Sequence, residues 1–202
     1  FRVRIALNLK GIEAEQMFVH LLREGGEQHG TDYKSINPQE LIPTLVHNNQ
    51  TIGQSLAIIE YLDEIKPEPP ILPRDPVARS RVRQLAYIVA CDIHPLNNLR
   101  MLLYLRDRLS IGDEPRAEWQ KHWIGLGFST LETLLSQSPL TGAYCHGDTP
   151  SLADICLIPQ MANARRVNLD LSPYPTLVRI EAHALAHPAF EAALPKNQPD
   201  AE

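Results

Sequence analysis

The apolar positions near the start of the chain recur at helical spacing. Val3 and Ala6 share one face, and Gly11 stands where a glycine commonly ends a helix. The next apolar residues, at 16–20, are strand-like, and the polar, glycine-containing stretch at 23–33 predicts a loop. The pattern therefore predicts a helix, a strand and a loop in this order.

Two short strand-like runs, at 44–47 and 50–52, are joined by Asn48 and Asn49. Asparagine tolerates the positive φ that a two-residue hairpin turn requires, so a β-hairpin is predicted. After the hairpin, an apolar stripe with acidic residues outside it predicts a helix over residues 55–66. The stripe consists of Ile58, Ile59, Leu62 and Ile65.

Five prolines between residues 67 and 76 change the pattern. Proline lacks an amide donor and disfavours helix at the preceding residue, so we expect a linker at 67–76 between domains at 1–66 and 77–202. Beyond the linker the apolar residues recur at helical spacing. Pro95 should interrupt the first long helix within residues 92–98. Further helices are expected around 119–134 and at 152–166, the last one after a capping box of Ser151 and Asp154.

This order predicts an α/β half followed by an all-α half. A two-stranded hairpin is not a stable sheet by itself. The sequence also begins without an initiator methionine, in the middle of a helical pattern. We therefore expect a natural segment before Phe1 that supplies the first strand of the sheet.

Charge, hydropathy and cysteine usage narrow the functional classes. A net charge of −5 argues against nucleic acid as a partner, because phosphates require clustered Lys and Arg. No apolar run approaches the roughly 20 residues of a membrane span, so no membrane role is expected. Cys91, Cys145 and Cys156 form no Cys-x-x-Cys pair, which indicates neither a disulfide framework nor a metal site and favours the cytoplasm.

Two motifs of the first half are typical of a peptide-binding site. Ile42-Pro43, before a strand, resembles the cis-proline of thioredoxin-like folds, where the preceding residue pairs its backbone with an extended peptide. Gln54-Ser55, at the head of the next helix, resembles the motif with which the glutathione S-transferase family binds the γ-glutamyl carboxylate of glutathione. Each motif alone also fits a generic turn or a helix cap. Together they imply that the cofactor is glutathione.

Further segments are similar to one class of that family, the zeta-class maleylacetoacetate isomerases and the related bacterial maleylpyruvate isomerases. The resemblance implies a thioredoxin-like N-terminal domain, an all-helical C-terminal domain and a homodimer. It also implies a serine before residue 1 that hydrogen-bonds the glutathione sulfur, so no catalytic residue is assigned within this chain. The similar segments are residues 2–11, 54–62, 147–154 and 170–175.

The resemblance also implies which residues contact glutathione. One of them, His94, precedes Pro95, so its ring could instead bond a carbonyl that the proline leaves free. Another, Leu99, departs from the His-Pro-x-Asn-Asn-Arg pattern of maleylpyruvate isomerases, which favours maleylacetoacetate as the substrate. The implied contacts are Gln28, Ile42, Pro43, Gln54, Ser55, His94, Asn98, Leu99 and Arg100.

Substrates of this class carry carboxylates on either side of a cis alkene, so the site needs fixed cations. The resemblance favours Arg166 for this role, with Arg2, Arg4 and Arg100 as helpers. Arg165 and Arg166 are adjacent and cannot share one helical face, so at least one of them is structural or faces solvent.

The implied reaction is a glutathione-dependent cis-trans isomerisation of a small dicarboxylate. The glutathione thiolate adds to the alkene, the former double bond rotates, and the thiolate leaves. Two alternatives stay open: a general glutathione transferase or dehalogenase, and a non-catalytic module of the same fold that serves as a dimeric interaction partner. A serine motif before residue 1 would favour catalysis over the module.

Overall fold

The computed structural model describes residues 1–201. The chain forms two compact units, Phe1–Pro70 with the C-terminal segment from Ala189, and Ile71–Pro188. The division falls inside the predicted linker, but the C-terminal segment belongs with the first unit rather than with the helical one. The physical reason is local, since the ring of Phe190 is fully buried and the Asn8 side-chain amide donates to the carbonyl oxygen of Ala189 at 2.9 Å.

The first unit begins with the predicted helix, which ends at Gly11 with a φ of 56° in the left-handed region. The predicted hairpin is also present, and its register pairs Leu45 with Ile52. Positive φ values of 50° at Asn48 and 59° at Asn49 make the two-residue turn. The regular elements of this unit are α1 (Arg2–Lys10), α2 (Thr31–Ile36), β1 (Thr44–His47), β2 (Gln50–Gly53) and α3 (Ser55–Ile65).

Two expectations for this unit are wrong, the second one only in part. Residues 16–20 form no strand, because a strand requires a hydrogen-bonded partner and no described segment pairs with them; Met17 is 82% exposed. The last three residues of the stretch expected to be a loop, 31–33, begin α2, which continues to Ile36. In α3, Ile58, Ile59 and Leu62 are buried, but Ile65 at the last turn is 48% exposed.

The second unit is helical throughout its regular structure. Its capping box forms as predicted, and Asp154 accepts bonds from the Ser151 amide at 2.9 Å and the Cys145 amide at 2.8 Å. Burial raises the pKa of this carboxyl, although its donors oppose the shift. Its helices are α4 (Pro76–Tyr87), α5 (His94–Asn97), α6 (Leu99–Asp107), α7 (Asp113–Ser136), α8 (Leu152–Arg166) and α9 (Pro175–Leu185), followed by α10 (Pro188–Ala192) at the boundary.

The predicted helix interruption lies where Pro95 suggests it. A π-helical turn, Ile88–Ile93, follows α4 directly, and Asn98 then separates α5 from α6 with an extended ψ of 146°. Proline offers no amide to the carbonyl of Cys91, four residues earlier, and the turn before it has π-helical bonding, in which the His94 amide donates to the Val89 carbonyl five residues earlier. The predicted long helix is therefore divided into α4, the π-helical turn and α5, and α6 follows as a separate helix.

These observations confirm the predicted fold class, an α/β half with a thioredoxin-like hairpin and helices followed by an all-helical half. None of the helices within residues 1–201 combines the length and the apolar character that crossing a membrane requires.

Candidate functional site

The loop before β1 carries the first candidate, the Ile42–Pro43 peptide, which is cis as predicted. Ile42 is 44% exposed. No hydrogen bond within the described residues uses its backbone N–H or its carbonyl. The loop thus presents one donor and one acceptor on an exposed, non-helical backbone, the arrangement to which an extended peptide adds as a strand.

Two side chains hold this loop in place by bonding the carbonyl just before it. The Tyr33 hydroxyl and the Asn37 side-chain amide each donate to the Leu41 carbonyl at 2.7 Å. Both side chains also reach the Thr44 hydroxyl, at 2.8 and 3.0 Å. Sequence reasoning missed this support; its one available signal was the Asn37-Pro38 dipeptide, which is typical of a turn.

The start of α3 carries the second candidate, Gln54-Ser55. Gln54 occupies the N-cap position with a φ of 66°, and its side-chain amide donates to Gln39 at 2.9 Å. A positive φ is uncommon for a residue with a side chain, and such outliers concentrate at ligand sites. No side-chain hydrogen bond caps the helix, so the Ser55 hydroxyl does not serve as an ordinary cap.

Arg2 approaches this same helix start. Its guanidinium donates to the Ser55 hydroxyl at 3.4 Å. The helix N-terminus offers unpaired amides and the positive end of the helix dipole, and Arg2 adds a full positive charge. Arg2, Gln54 and Ser55 together therefore suit a carboxylate.

Gln28 is the third candidate in the first unit and is 5% exposed. Its amide nitrogen donates to the Leu21 carbonyl at 3.4 Å, whereas its side-chain oxygen has no hydrogen-bond partner in the described part of the chain. A buried unpaired oxygen is costly, so it is suited to accept a bond from a ligand. Gly26 makes room for this side chain, since a Cβ there would lie 2.5 Å from the Gln28 nitrogen.

The candidates of the second unit lie around the break in the first long helix. His94 opens α5, and Asn98 caps α6 by accepting the Arg100 amide at 3.1 Å. Leu99 is half-buried, and Arg100 is exposed in the first turn of α6. The structure thus places these four residues within one short, irregular stretch of backbone.

The two adjacent arginines at the end of α8 differ in their surroundings, as predicted. Arg165 forms an ion pair with Glu181 of α9, and its Nε donates to Glu181 Oε1 at 3.0 Å. This bond raises the pKa of Arg165. The side chain of Arg166 is exposed and makes no hydrogen bond or ion pair with the described residues. Arg165 is therefore structural, and Arg166 is available to an anionic ligand.

The remaining reactive groups do not form a further centre. Burial raises the pKa of Cys145 well above its usual range and keeps it a thiol, and Cys156 is fully buried. Cys91 is exposed and free. No group of histidine, cysteine and acidic side chains within residues 1–201 could hold a metal ion.

Comparison with known proteins places these features in a family. Residues 1–65 match the family described as the glutathione S-transferase N-terminal domain. The chain is 51% identical to a probable maleylacetoacetate isomerase of Vibrio cholerae over 100% of this chain and 93% of that one. It is 48% identical to a maleylpyruvate isomerase of a Ralstonia species over 98% of this chain and 93% of that one.

Two solved structures that are similar to this chain belong to the same family. One is a maleylpyruvate isomerase described as a bacterial zeta-class glutathione S-transferase, with a TM-score of 0.96, 46% identity, and coverage of 100% of this chain and 94% of that one. The other, a maleylacetoacetate isomerase of Methylobacterium extorquens AM1 with bound malonate and glutathione, has a TM-score of 0.95, 42% identity and the same coverage of 100% and 94%. The chain therefore belongs to the glutathione S-transferase family, in its zeta class.

Proposed function

We propose that this protein catalyses the glutathione-dependent cis-trans isomerisation of maleylacetoacetate-type dicarboxylates. Two features of the first unit carry the proposal: the Ile42 backbone, whose N–H and carbonyl make no hydrogen bond within the described residues, and the Ser55 hydroxyl, which lies beside Arg2 at the start of α3. Relatives over the full length of the chain are named as isomerases of this kind. In the Methylobacterium structure, glutathione is bound together with malonate, itself a dicarboxylate.

Glutathione fits the candidate groups of the first unit. The exposed N–H and carbonyl of Ile42 pair with the cysteinyl backbone, as in an added strand, and Pro43 fixes the turn that presents them. The α3 amides, the Ser55 hydroxyl and the backbone of Gln54 bind the γ-glutamyl carboxylate. The unpaired oxygen of Gln28 accepts a third bond from the tripeptide.

We propose that Arg2 binds glutathione rather than the substrate, and its contact with Ser55 supports this role. Its guanidinium already contacts Ser55, so the γ-glutamyl carboxylate is the anion within its reach. In the second unit, His94, Asn98, Leu99 and Arg100 remain the proposed contacts to the cofactor.

Arg166 is the proposed fixed cation for the substrate, because its side chain has no partner among the described residues and its charge is permanent. Bound glutathione would supply the thiolate that adds reversibly to the alkene and so permits its rotation. Arg166 would hold a substrate carboxylate and thereby orient the alkene and stabilise the negative charge that develops next to it.

Leu99 favours maleylacetoacetate over maleylpyruvate, by its departure from the pattern of the maleylpyruvate isomerases. We also propose that the protein acts as a homodimer, which the family resemblance supports. We further propose that it resides in the cytoplasm, because none of its three cysteines forms a disulfide within the described residues.

The proposal predicts that the full-length natural protein converts maleylacetoacetate to its trans isomer only when glutathione is present. The measurement is product formation from maleylacetoacetate and from maleylpyruvate, each with and without glutathione, and maleylacetoacetate should give the higher kcat/KM. Absence of glutathione-dependent turnover of both substrates would contradict the proposed isomerase. Addition of glutathione to halogenated or epoxide substrates alone would indicate the general transferase.

Replacing Arg166 by alanine should raise the KM for the dicarboxylate about ten-fold, since a charge-assisted hydrogen bond contributes about 1.5 kcal/mol at an exposed position. The KM for glutathione should stay unchanged. Arg165→Ala is the matched control: it removes the same charge but breaks the ion pair with Glu181, so it should lower the thermal midpoint and leave both KM values near those of the wild type. If Arg166→Ala raised the KM for the dicarboxylate and the KM for glutathione equally, Arg166 would have a structural role instead.

A further inference from the structure

The break in the first long helix leaves a backbone carbonyl that a neighbouring helix satisfies. In a continuous helix, the Leu96 carbonyl would accept the Arg100 amide, but that amide bonds the Asn98 side chain at 3.1 Å instead. The indole N–H of Trp119, in α7, donates to the Leu96 carbonyl at 2.8 Å. Helix α7 therefore supplies the bond that the helix break removes.

The same helix accommodates the residue just before His94. Ile93 is 1% exposed, and a Cβ built on Gly127 of α7 would lie 2.3 Å from its Cδ1 and 2.4 Å from its Cγ1. Such distances do not occur between real atoms, so Ile93 keeps its place only because residue 127 has no side chain. Trp119 and Gly127 thus fix the irregular stretch on both sides of His94.

We propose that Trp119 and Gly127 are positioning residues for glutathione binding. They act on the backbone of the irregular stretch and so set the places from which His94, Asn98 and Arg100 engage the cofactor. The inference rests on the proposed function, which gives those three residues to glutathione. Its physical basis is general: binding groups on irregular backbone need locked supports, and π-helical turns occur often at functional sites.

The chain contains a matched control for Trp119. Trp123 lies one turn further along α7, and the two rings are in edge-to-face contact with centroids 5.7 Å apart. The indole N–H of Trp123 is also buried, but it has no hydrogen-bond partner within residues 1–201. Replacement by phenylalanine therefore removes the same group from both positions, and only at Trp119 does it remove a hydrogen bond.

The experiment compares Trp119→Phe with Trp123→Phe in the full-length natural protein. Trp119→Phe should raise the KM and the Kd for glutathione about five-fold, the effect expected from one lost hydrogen bond, with kcat nearly unchanged. Hydrogen exchange should become faster at the amides of residues 97–101. Trp123→Phe should leave glutathione affinity and amide exchange as in the wild type.

Equal effects in the two variants would overturn the proposal. So would a lower thermal midpoint of Trp119→Phe with unchanged glutathione affinity, because that result makes the bond merely structural. If the wild type binds glutathione but isomerises neither substrate, that result contradicts the proposed reaction without contradicting the proposed role of Trp119. The affinity and exchange comparison would still decide the role of Trp119.

A second pair of variants tests Gly127. Gly127→Ala should lower glutathione affinity, whereas Gly125→Ala should not, since a Cβ on Gly125 would lie at an ordinary 3.5 Å from the Tyr174 hydroxyl. Combining Gly127→Ala with Ile93→Ala removes both clashing atoms and should recover part of the affinity. Indistinguishable affinities of the two alanine variants would overturn the role of Gly127.

Discussion

Replacing Ser55 by alanine is expected to raise the KM for glutathione about 30-fold, which corresponds to about 2 kcal/mol for a lost hydrogen bond to a charged group. The thermal midpoint should not fall. The reason is geometric: the Ser55 hydroxyl makes no capping bond within α3 and contacts only the Arg2 guanidinium, so its removal leaves no helix amide newly unpaired. Initial rates over a range of glutathione concentrations, together with a thermal melt, check both parts.

Ser35→Ala is the control for this variant. Ser35 lies on α2 and its hydroxyl donates to the Asp32 carbonyl at 2.7 Å, an exposed bond within one turn of chain. Its removal should leave the glutathione KM unchanged. If Ser55→Ala instead destabilised the protein and kept its affinity, Ser55 would be a helix cap and the carboxylate site would lie elsewhere.

Features governed by neighbouring residues were predictable from the sequence. The two-residue turn at Asn48 and Asn49 depends on the φ preference of asparagine, and the end of α1 depends on that of Gly11. The capping box of Ser151 and Asp154 needs only its three-residue spacing. Each of these elements is confirmed, as are the fold class and the family.

Features that depend on distant contacts were not predictable in the same way. Residues 16–20 have the composition of a strand, but a strand forms only where a partner pairs with it. Tyr33 and Asn37 support the loop before β1 through the carbonyl of Leu41, which no spacing in the sequence reveals. Trp119 has the helical spacing of a core residue, and only the structure shows that its N–H satisfies a broken helix.

Lys10 is the clearest case of such a hidden role. From the sequence it is an ordinary lysine in the last turn of α1, a position that is usually exposed to solvent. In the structure its side chain is 0% exposed. Its ammonium group pairs with Asp63 of α3 and donates to the carbonyls of Lys66 at 2.9 Å and Pro69 at 2.6 Å. Lysine is almost never fully buried unless it is paired, and here one ammonium joins the end of α1 to the end of α3 and to the proline-rich segment after it.

Replacing Lys10 by methionine, which has a similar length, should therefore destabilise the protein by about 3 kcal/mol, because it takes the shared donor from the backbone carbonyls of Lys66 and Pro69 and one cationic partner from a largely buried carboxylate. The thermal midpoint should fall by about 6–12 °C for a chain of this size. Lys66→Met is the matched control, since its ammonium makes one exposed bond to the Gly11 carbonyl at 2.9 Å and its loss should change stability by less than about 0.5 kcal/mol. Adding Asp63→Leu to Lys10→Met should recover part of the loss, because the second change removes the buried charge. Equal midpoints for Lys10→Met and Lys66→Met would show that the buried ammonium contributes no net stability.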